Sequence, residues 1–134
     1  MVDPESIILN IHILPEIKEK VESIFGNQGL TLSEAINVFI KHSCYAGGFP
    51  FKYSTDIIAV KYAEVLLKTD PKSISLNVNI LPEIKEEAER VFNYHGLTLS
   101  EAINVFIKQS CYAGGFPFKL KSAPSTETET TDGL

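Results

Sequence analysis

The sequence predicts an α+β protein, mostly helical, in which one short antiparallel ribbon packs against helices. The first observation is an internal repeat: residues 7–52 recur as residues 74–119, with 35 of 46 aligned positions identical. The second is that each copy opens with alternating apolar and polar residues, which is the period of a strand. The third is that two segments of helical periodicity follow in each copy. Each copy is therefore expected to form one strand and two helices.

The strand of each copy has one apolar face and one more polar face, because successive side chains alternate along a strand. Its apolar positions are Ile7, Leu9, Ile11 and Ile13 in the first copy, and Ile74, Leu76, Val78 and Ile80 in the second. Its outward positions are Ile8, Asn10 and His12 in the first copy, and Ser75, Asn77 and Asn79 in the second. Two such strands would make a ribbon with one buried face and one exposed face.

The first helix starts at a proline directly after the strand, Pro15 or Pro82, because proline suits the first helical turn. Gly29 and Gly96 stand where a left-handed residue would end that helix. The second helix opens with "TLSE", whose first and last residues have the spacing of a capping box. This helix is apolar on nearly all sides, so it must be buried on most of them.

A single copy of 46 residues cannot bury such a helix, and its one strand would have no partner. Two copies remove both problems, because their strands can pair antiparallel and their second helices can pack together. We therefore expect a strand–helix–helix unit with twofold character, built from residues 6–53 and 73–120 of one chain or of two. The aromatic residues expected to pack across the twofold are Phe49, Phe51, Phe116 and Phe118.

Between the copies, residues 54–72 predict a connecting helix. Ser54 or Thr55 could cap it, Asp56 suits its first turn, and Pro71 lies just beyond its end. The charged residues on one side are Lys61, Glu64 and Lys68, and the wide apolar surface consists of Ile57, Ile58, Val60, Tyr62, Val65, Leu66 and Leu67. Two interpretations stay open: a structural connector docked on the core, or a contact segment for a partner protein.

Composition and charge limit the classes of function that fit the sequence. The net charge is −5 with a single arginine, which argues against non-specific attraction to nucleic acid or anionic membrane. Cys44 and Cys111 occupy equivalent positions and indicate reduced thiols rather than a disulfide framework. With no signal-peptide pattern and no apolar run long enough to span a membrane, a cytoplasmic location is expected. Residues 121–134 are polar and acidic, which predicts a disordered tail.

The segment "GLTLSEAINVFIKQS" at residues 96–110, followed by "FPF" at 116–118, resembles the RelB/DinJ antitoxin family. In that family a G-[hydrophobic]-T-x-S-[ED]-A segment opens the second helix, and a "PF" follows it. The same pattern recurs in the first copy, at residues 29–43 and 49–51. The resemblance covers both copies and implies the ribbon-helix-helix fold of small DNA-binding proteins.

This resemblance implies a bacterial or archaeal antitoxin of a type II toxin–antitoxin system. Such proteins dimerise through the strand–helix–helix unit and bind operator DNA with the paired strands. They neutralise a partner toxin, usually an mRNA-cleaving ribonuclease, with a segment after the second helix. The resemblance implies no enzymatic activity, and we expect no catalytic set, no cofactor and no metal site. His12, His42 and His95 are interpreted as polar surface residues.

Under this resemblance, the base-reading candidates are Asn10, His12, Ser75, Asn77 and Asn79, because asparagine can bond adenine at N6 and N7. The phosphate-contact candidates, at the helix starts, are Thr31, Leu32, Ser33, Thr98, Leu99 and Ser100. The toxin-contact candidates are the seven apolar residues of the connecting helix. A solvated strand face, ordinary capping and a structural connector are the respective alternatives.

Two other functions fit the same residues. One is a ribbon-helix-helix transcriptional regulator that has no toxin. The other is an interaction scaffold that has lost DNA binding, which the absence of an arginine on the outward strand face favours.

Overall fold

The computed structural model describes residues 5–53 and 56–120. This part of the chain is an α+β fold with one two-stranded antiparallel sheet and five helices, as the sequence predicts. In chain order the elements are β1 (Ile7–Ile13), α1 (Pro15–Gly26), α2 (Leu32–Ala46), α3 (Ile57–Thr69), β2 (Ile74–Ile80), α4 (Pro82–Tyr94) and α5 (Leu99–Ala113). The predicted disordered tail, residues 121–134, and the two cap candidates Ser54 and Thr55 lie outside the described residues.

The ribbon is formed by β1 and β2 of the same chain, paired antiparallel with Asn10 opposite Asn77 at its centre. The period-two pattern correctly predicts six of the eight buried positions, but Ile7 and Ile74, at the first position of each strand, are 40% and 39% exposed, because they lie at the ends of the ribbon. The inward side chains that the helices cover are Leu9, Ile11, Ile13, Leu76, Val78 and Ile80. The helices therefore pack on one face of the ribbon, and the other face is left toward solvent.

The ends of the helices follow the predicted local chemistry. At the start of α2 the Glu34 amide donates to Thr31 Oγ1 at 3.0 Å, and the Thr31 amide donates to Glu34 Oε1 at 2.9 Å. α5 has the same capping box, and Gly47, with φ of 73°, terminates α2 in the left-handed region. After α1, Gly29 has φ of 80°, which lets the chain turn directly into the next helix.

The core joins the two halves of the sequence through aromatic rings. Phe39 of α2 and Phe106 of α5 stack with their centroids 4.5 Å apart. The segments after these helices also contact the other half of the sequence. The ring centroid of Phe116 lies 4.8 Å from that of Phe25, and the ring centroid of Phe49 lies 5.1 Å from that of Phe92. In agreement, α1 packs on α5 and α2 packs on α4. The apolar helices that neither half could bury alone are thus buried against each other.

The predicted connecting helix is present as α3, which lies against α5 and β1. Its N-cap is Asp56, whose side chain accepts a hydrogen bond from the Ala59 amide at 3.1 Å. The expectation that Asp56 belongs to the first turn is therefore wrong by one position. As the cap, its carboxylate satisfies an amide that has no partner within the helix.

Candidate functional site

The base-reading candidates lie together on the outward face of the ribbon. In the antiparallel register His12 stands opposite Ser75, and Ile8 stands opposite Asn79. All of them are exposed except His12, which is half-buried. The face carries hydrogen-bonding side chains but no lysine or arginine among the outward residues of the two strands.

The centre of this face is an asparagine pair. Asn10 Nδ2 donates to Asn77 Oδ1 at 2.7 Å, so the two side chains hold each other in position. Each amide group has two N–H donors and an oxygen with two lone pairs, and the pair uses one of these on each side. Both side chains therefore keep a donor and an acceptor that can face a ligand.

The phosphate-contact candidates lie at the starts of α2 and α5. In α2 the first intrahelical donor is the Ala35 amide, which bonds Thr31 O at 3.0 Å. The Glu34 amide is taken by the capping box, which leaves the amides of Leu32 and Ser33 as the available donors. The Leu32 side chain is buried in the core, so only its backbone could contact a phosphate.

One of these helices is tied to the ribbon. Asn37, in the second turn of α2, donates from Nδ2 to Asn79 O at 2.9 Å, and so ties the helix to the end of β2. The base-reading candidate Asn79 and the phosphate-contact candidates of α2 therefore belong to elements that touch each other. An elongated, polar surface of this kind can lie in a groove of a double helix while the helix starts face its backbone.

The two helix starts differ in charge environment, although their sequences are identical. The Glu101 carboxylate is only 7% exposed, and it pairs with Lys61 Nζ at 3.1 Å. The corresponding Glu34 is exposed and has no lysine contact among the described residues. Because a negative carboxylate weakens anion binding at a helix start, the start of α5, where Lys61 offsets Glu101, opposes an anion less than the start of α2 does.

The toxin-contact candidates do not form one surface, because they lie on two different sides of α3. Val60 is buried, and Ile57 and Leu67 are half-buried against the body of the protein. The remaining four face outward, with exposed fractions of 82% for Ile58, 64% for Tyr62, 55% for Val65 and 50% for Leu66. We call these four residues the outward row of α3.

The side of α3 that sequence analysis described as charged is the side that docks. Lys61 reaches Glu101, and Asn104 Nδ2 donates to Glu64 Oε1 at 3.0 Å. Glu64 is only 4% exposed, and its Oε2 has no hydrogen-bond partner among the described residues. Burial raises the pKa of this carboxyl above its usual range, while Lys68 and the Asn104 hydrogen bond act in the opposite direction.

A groove of about 610 Å³ runs between α3, α5 and the start of α1. Its apolar wall includes Ile17, Leu66 and Val105, and Tyr53 and Tyr112 lie at its border. Because Leu66 also belongs to the outward row, the groove and the row form one continuous apolar surface.

The histidines make individual contacts instead of gathering at one place. His42 is half-buried, its Nδ1 lies 2.9 Å from Val38 O, and its ring is 5.0 Å from that of Phe118. His95 is exposed, but its Nε2 lies 2.8 Å from Gly47 O. Interpreting His42 as a plain surface residue is thus wrong. Within the described ranges, no three His, Cys, Asp or Glu side chains gather into a group that could hold a metal ion.

Both cysteines are free thiols in half-buried positions. Burial raises the pKa of Cys44, with a further increase from Glu87 and an opposing effect of Arg90. Burial also raises the pKa of Cys111, against the effect of Lys20. Both thiols are therefore protonated and weakly nucleophilic at neutral pH.

The residues that sequence analysis missed are Lys61, Glu64, Glu101 and Asn104, which hold α3 to α5. The available signal was the pair Lys61 and Glu64 on a helix that is otherwise apolar around most of its circumference. Two charges on one side of such a helix can mark a docking face as well as a solvated one. Whether the charged side of α3 docks or is solvated depends on α5, which carries the matching polar side chains.

None of the helices among residues 5–53 and 56–120 combines the length and the hydropathy that a membrane span requires. Comparisons with curated proteins and with solved structures give no match. A comparison with family models does: the model described as RelB antitoxin matches residues 73–132. The matched segment contains β2, α4 and α5, the strand and two helices that the first half of the chain repeats. Over this segment, the protein is similar to the RelB antitoxins.

Proposed function

We propose that the protein is an antitoxin of a type II toxin–antitoxin system, made of two ribbon-helix-helix copies at residues 6–53 and 73–120. The observation that carries this proposal is the match of residues 73–132 to RelB antitoxin. The first copy repeats residues 74–119 of that segment at 35 of 46 positions, which supports extending the proposal to it. The protein acts by binding alone and catalyses no reaction.

The two copies form one pseudo-twofold unit within a single chain. Support comes from the register, which is symmetric about Asn10 and Asn77, the equivalent residues of the two copies. A covalent linker raises the effective concentration of the second copy to roughly millimolar, which favours pairing within the chain. Light scattering at low micromolar concentration should give the mass of one chain. A species that is strictly dimeric would contradict this arrangement.

The ribbon reads operator DNA in the major groove, with the asparagine pair at its centre. Asn10 and Asn77 keep donors and acceptors that match adenine N7 and N6, and the helix starts supply amides for the flanking phosphates. His12 opposite Ser75, and Ile8 opposite Asn79, make the two ends of the ribbon chemically different. The preferred operator therefore has two unequal half-sites.

The DNA hypothesis is tested with a fragment of the protein's own promoter. We expect a shift whose affinity falls with salt, and loss of that shift in the double variant Asn10→Ala, Asn77→Ala. Asn93→Ala is the matched control, because Asn93 is an exposed asparagine at the end of α4, outside the ribbon. No shift at low salt, or equal binding by the double variant and the control, would rule out reading by the ribbon.

The outward row of α3 binds the partner toxin, a ribonuclease that cleaves mRNA. Four large apolar side chains at spacing 0, 4, 7 and 8 form one helical stripe, and a stripe of this kind in solvent marks a protein contact. Tyr62→Asp and Leu66→Asp should leave the fold intact and abolish neutralisation. Tyr94→Asp, at an exposed tyrosine on α4, should leave neutralisation unchanged.

A second candidate, an interaction scaffold without DNA binding, is favoured by two observations. The outward residues of the two strands include no lysine or arginine, and Glu34 places an exposed negative charge at the start of α2. Under this alternative, promoter DNA is not bound at any salt concentration, while the outward row still binds its protein partner. The promoter assay therefore distinguishes the two functions.

A further inference from the structure

The connecting helix α3 docks on only one of two surfaces that have the same sequence. Residues 30–41 are repeated at 97–108 without a substitution, so α2 and α5 present the same side chains in the same order. α3 lies against α5, and no described helix occupies the equivalent side of α2. The contact between α3 and α5 therefore indicates which kind of helix the equivalent surface of α2 is able to bind.

The occupied surface defines the chemistry of its ligand. Lys61 Nζ lies 3.1 and 3.3 Å from the two carboxylate oxygens of Glu101, and Glu64 accepts a hydrogen bond from Asn104. A Cβ placed on Gly96 would meet Ile57 Cδ1 at 3.3 Å, so this side chain packs directly on the glycine. The helix that fits carries an apolar residue, a lysine four positions later and an acceptor three positions after that.

The equivalent surface on α2 is open at the positions that correspond to Gly96 and Glu101. Glu34 is exposed, while Leu30 and Val38 are half-buried, although their counterparts next to α3 are all buried. A Cβ placed on Gly29 would meet nothing within 4 Å. Asn37 differs, because its Nδ2 donates to Ser33 O at 3.0 Å and to Asn79 O at 2.9 Å, which uses both of its N–H groups. We call Gly29, Leu30, Glu34 and Val38 the open dock.

The surroundings of the open dock are more acidic than those of the occupied one. Lys20 lines the groove beside α3, and the residue at the equivalent position of the other half is Glu87. Glu87 lies close enough to α2 to raise the pKa of Cys44. Arg90 opposes this effect of Glu87, so the exposed Glu34 is the carboxylate that is open to pairing with a lysine of the ligand.

We propose that the open dock binds an amphipathic helix of another protein whose docking face carries a lysine, in the way that α5 binds α3. The helix has an isoleucine or valine over Gly29 and a lysine, four positions later, paired with Glu34. It comes from a different protein, because the matching face of α3 in this chain is already used against α5. This site is separate from the outward row of α3, so it stands whether or not the antitoxin function is correct.

The test uses a peptide of the α3 sequence, residues 56–70, added to the full-length protein. Because a helix this short is marginal in water, the peptide carries a lactam bridge between Ile58→Lys and Tyr62→Asp. These positions belong to the outward row, so the bridge stabilises the helix and removes outward apolar contacts. Binding is followed by the amide resonances of the protein and by fluorescence anisotropy of a labelled peptide.

We expect saturable binding with shifts at Leu30 and Val38. Glu34→Lys in the protein should weaken binding by about tenfold or more, since it replaces an ion pair with repulsion. A peptide carrying Lys61→Glu should recover affinity for that variant, which a loss of folding could not do. Glu19→Lys, at an exposed carboxylate of α1, is the control with the same charge change.

Three results would overturn the proposal. One is the absence of saturation up to about 1 mM, an affinity of only ~4 kcal/mol. Another is a shift pattern centred on Leu97 and Val105, which means that the peptide displaces α3 from α5. The last is equal weakening by Glu34→Lys and Glu19→Lys, which means that the peptide senses only net charge.

Discussion

Glu34 and Glu101 close the same capping box in identical sequence, but only Glu101 contacts the connecting helix. Replacing each with alanine therefore separates the contribution of the cap from that of the contact. The comparison is internally controlled, because both variants lose the same side chain from the third position of the same helix sequence. The difference between them measures how strongly α3 is held on α5.

The structure sets the loss of unfolding free energy that is expected for each variant. Glu34→Ala removes one capping hydrogen bond at an exposed site, which costs about 0.5–1.5 kcal/mol of unfolding free energy. Glu101→Ala removes the same bond and the ion pair with Lys61. This pair has one buried member and one half-exposed member, with side-chain exposures of 8% and 48%, so it lies between the surface and the buried cases. We expect Glu101→Ala to lose about 1–2 kcal/mol more than Glu34→Ala.

Equilibrium urea unfolding measures both losses, and adding Lys61→Ala to each background completes two double-mutant cycles. Lys61 should couple to Glu101 by about 1 kcal/mol and to Glu34 by an amount near zero. Equal losses in the two glutamate variants, or equal coupling, would refute the placement of α3 against α5.

Three further predictions concern the connecting helix, the core and the end of α2. Because burial raises the folded-state pKa of Glu64 above its ordinary value of 4.5, stability should fall as pH rises from about that value through the raised pKa. Urea titrations of the protein and of Glu64→Gln at several pH values should show that the variant lacks this loss, and parallel profiles would contradict it. Phe39→Ala and Phe106→Ala should each cost about 3–5 kcal/mol in one cooperative calorimetric transition, and two separate transitions would contradict the shared core. Gly47→Ala should cost about 1 kcal/mol in thermal unfolding because φ there is 73°, and an unchanged melting temperature would contradict that origin.

The parts of the fold that local chemistry determines were predictable. Alternation in "IILNIHI" predicts both the strand and its buried face, and "TLSE" predicts the capping box of α2, since each depends only on residues close in sequence. An apolar helix must be buried against another apolar surface, which predicts that Phe39 and Phe106 lie in a common core. These elements recur in both halves because the residues that determine them recur.

The orientation of α3 could not be predicted in the same way. Its apolar residues extend around most of the helix, so no single face is marked for burial. The outcome depends on two polar side chains of α5, Glu101 and Asn104, which are distant in sequence and pair with Lys61 and Glu64. Repetition also hides the difference between the halves. Identical residues at the starts of α2 and α5 acquire different burial only because one connecting helix can cover only one of them.

The antitoxin role is tested most directly by growth rescue. The product of the gene adjacent to the one encoding this protein is expressed in a bacterial host, alone and together with the protein. We predict growth arrest by that product alone, relief by the intact protein, and no relief by a stable variant carrying Tyr62→Asp and Leu66→Asp in the outward row of α3. An adjacent product that leaves growth unchanged, or arrest that the intact protein does not relieve, would contradict the proposed function.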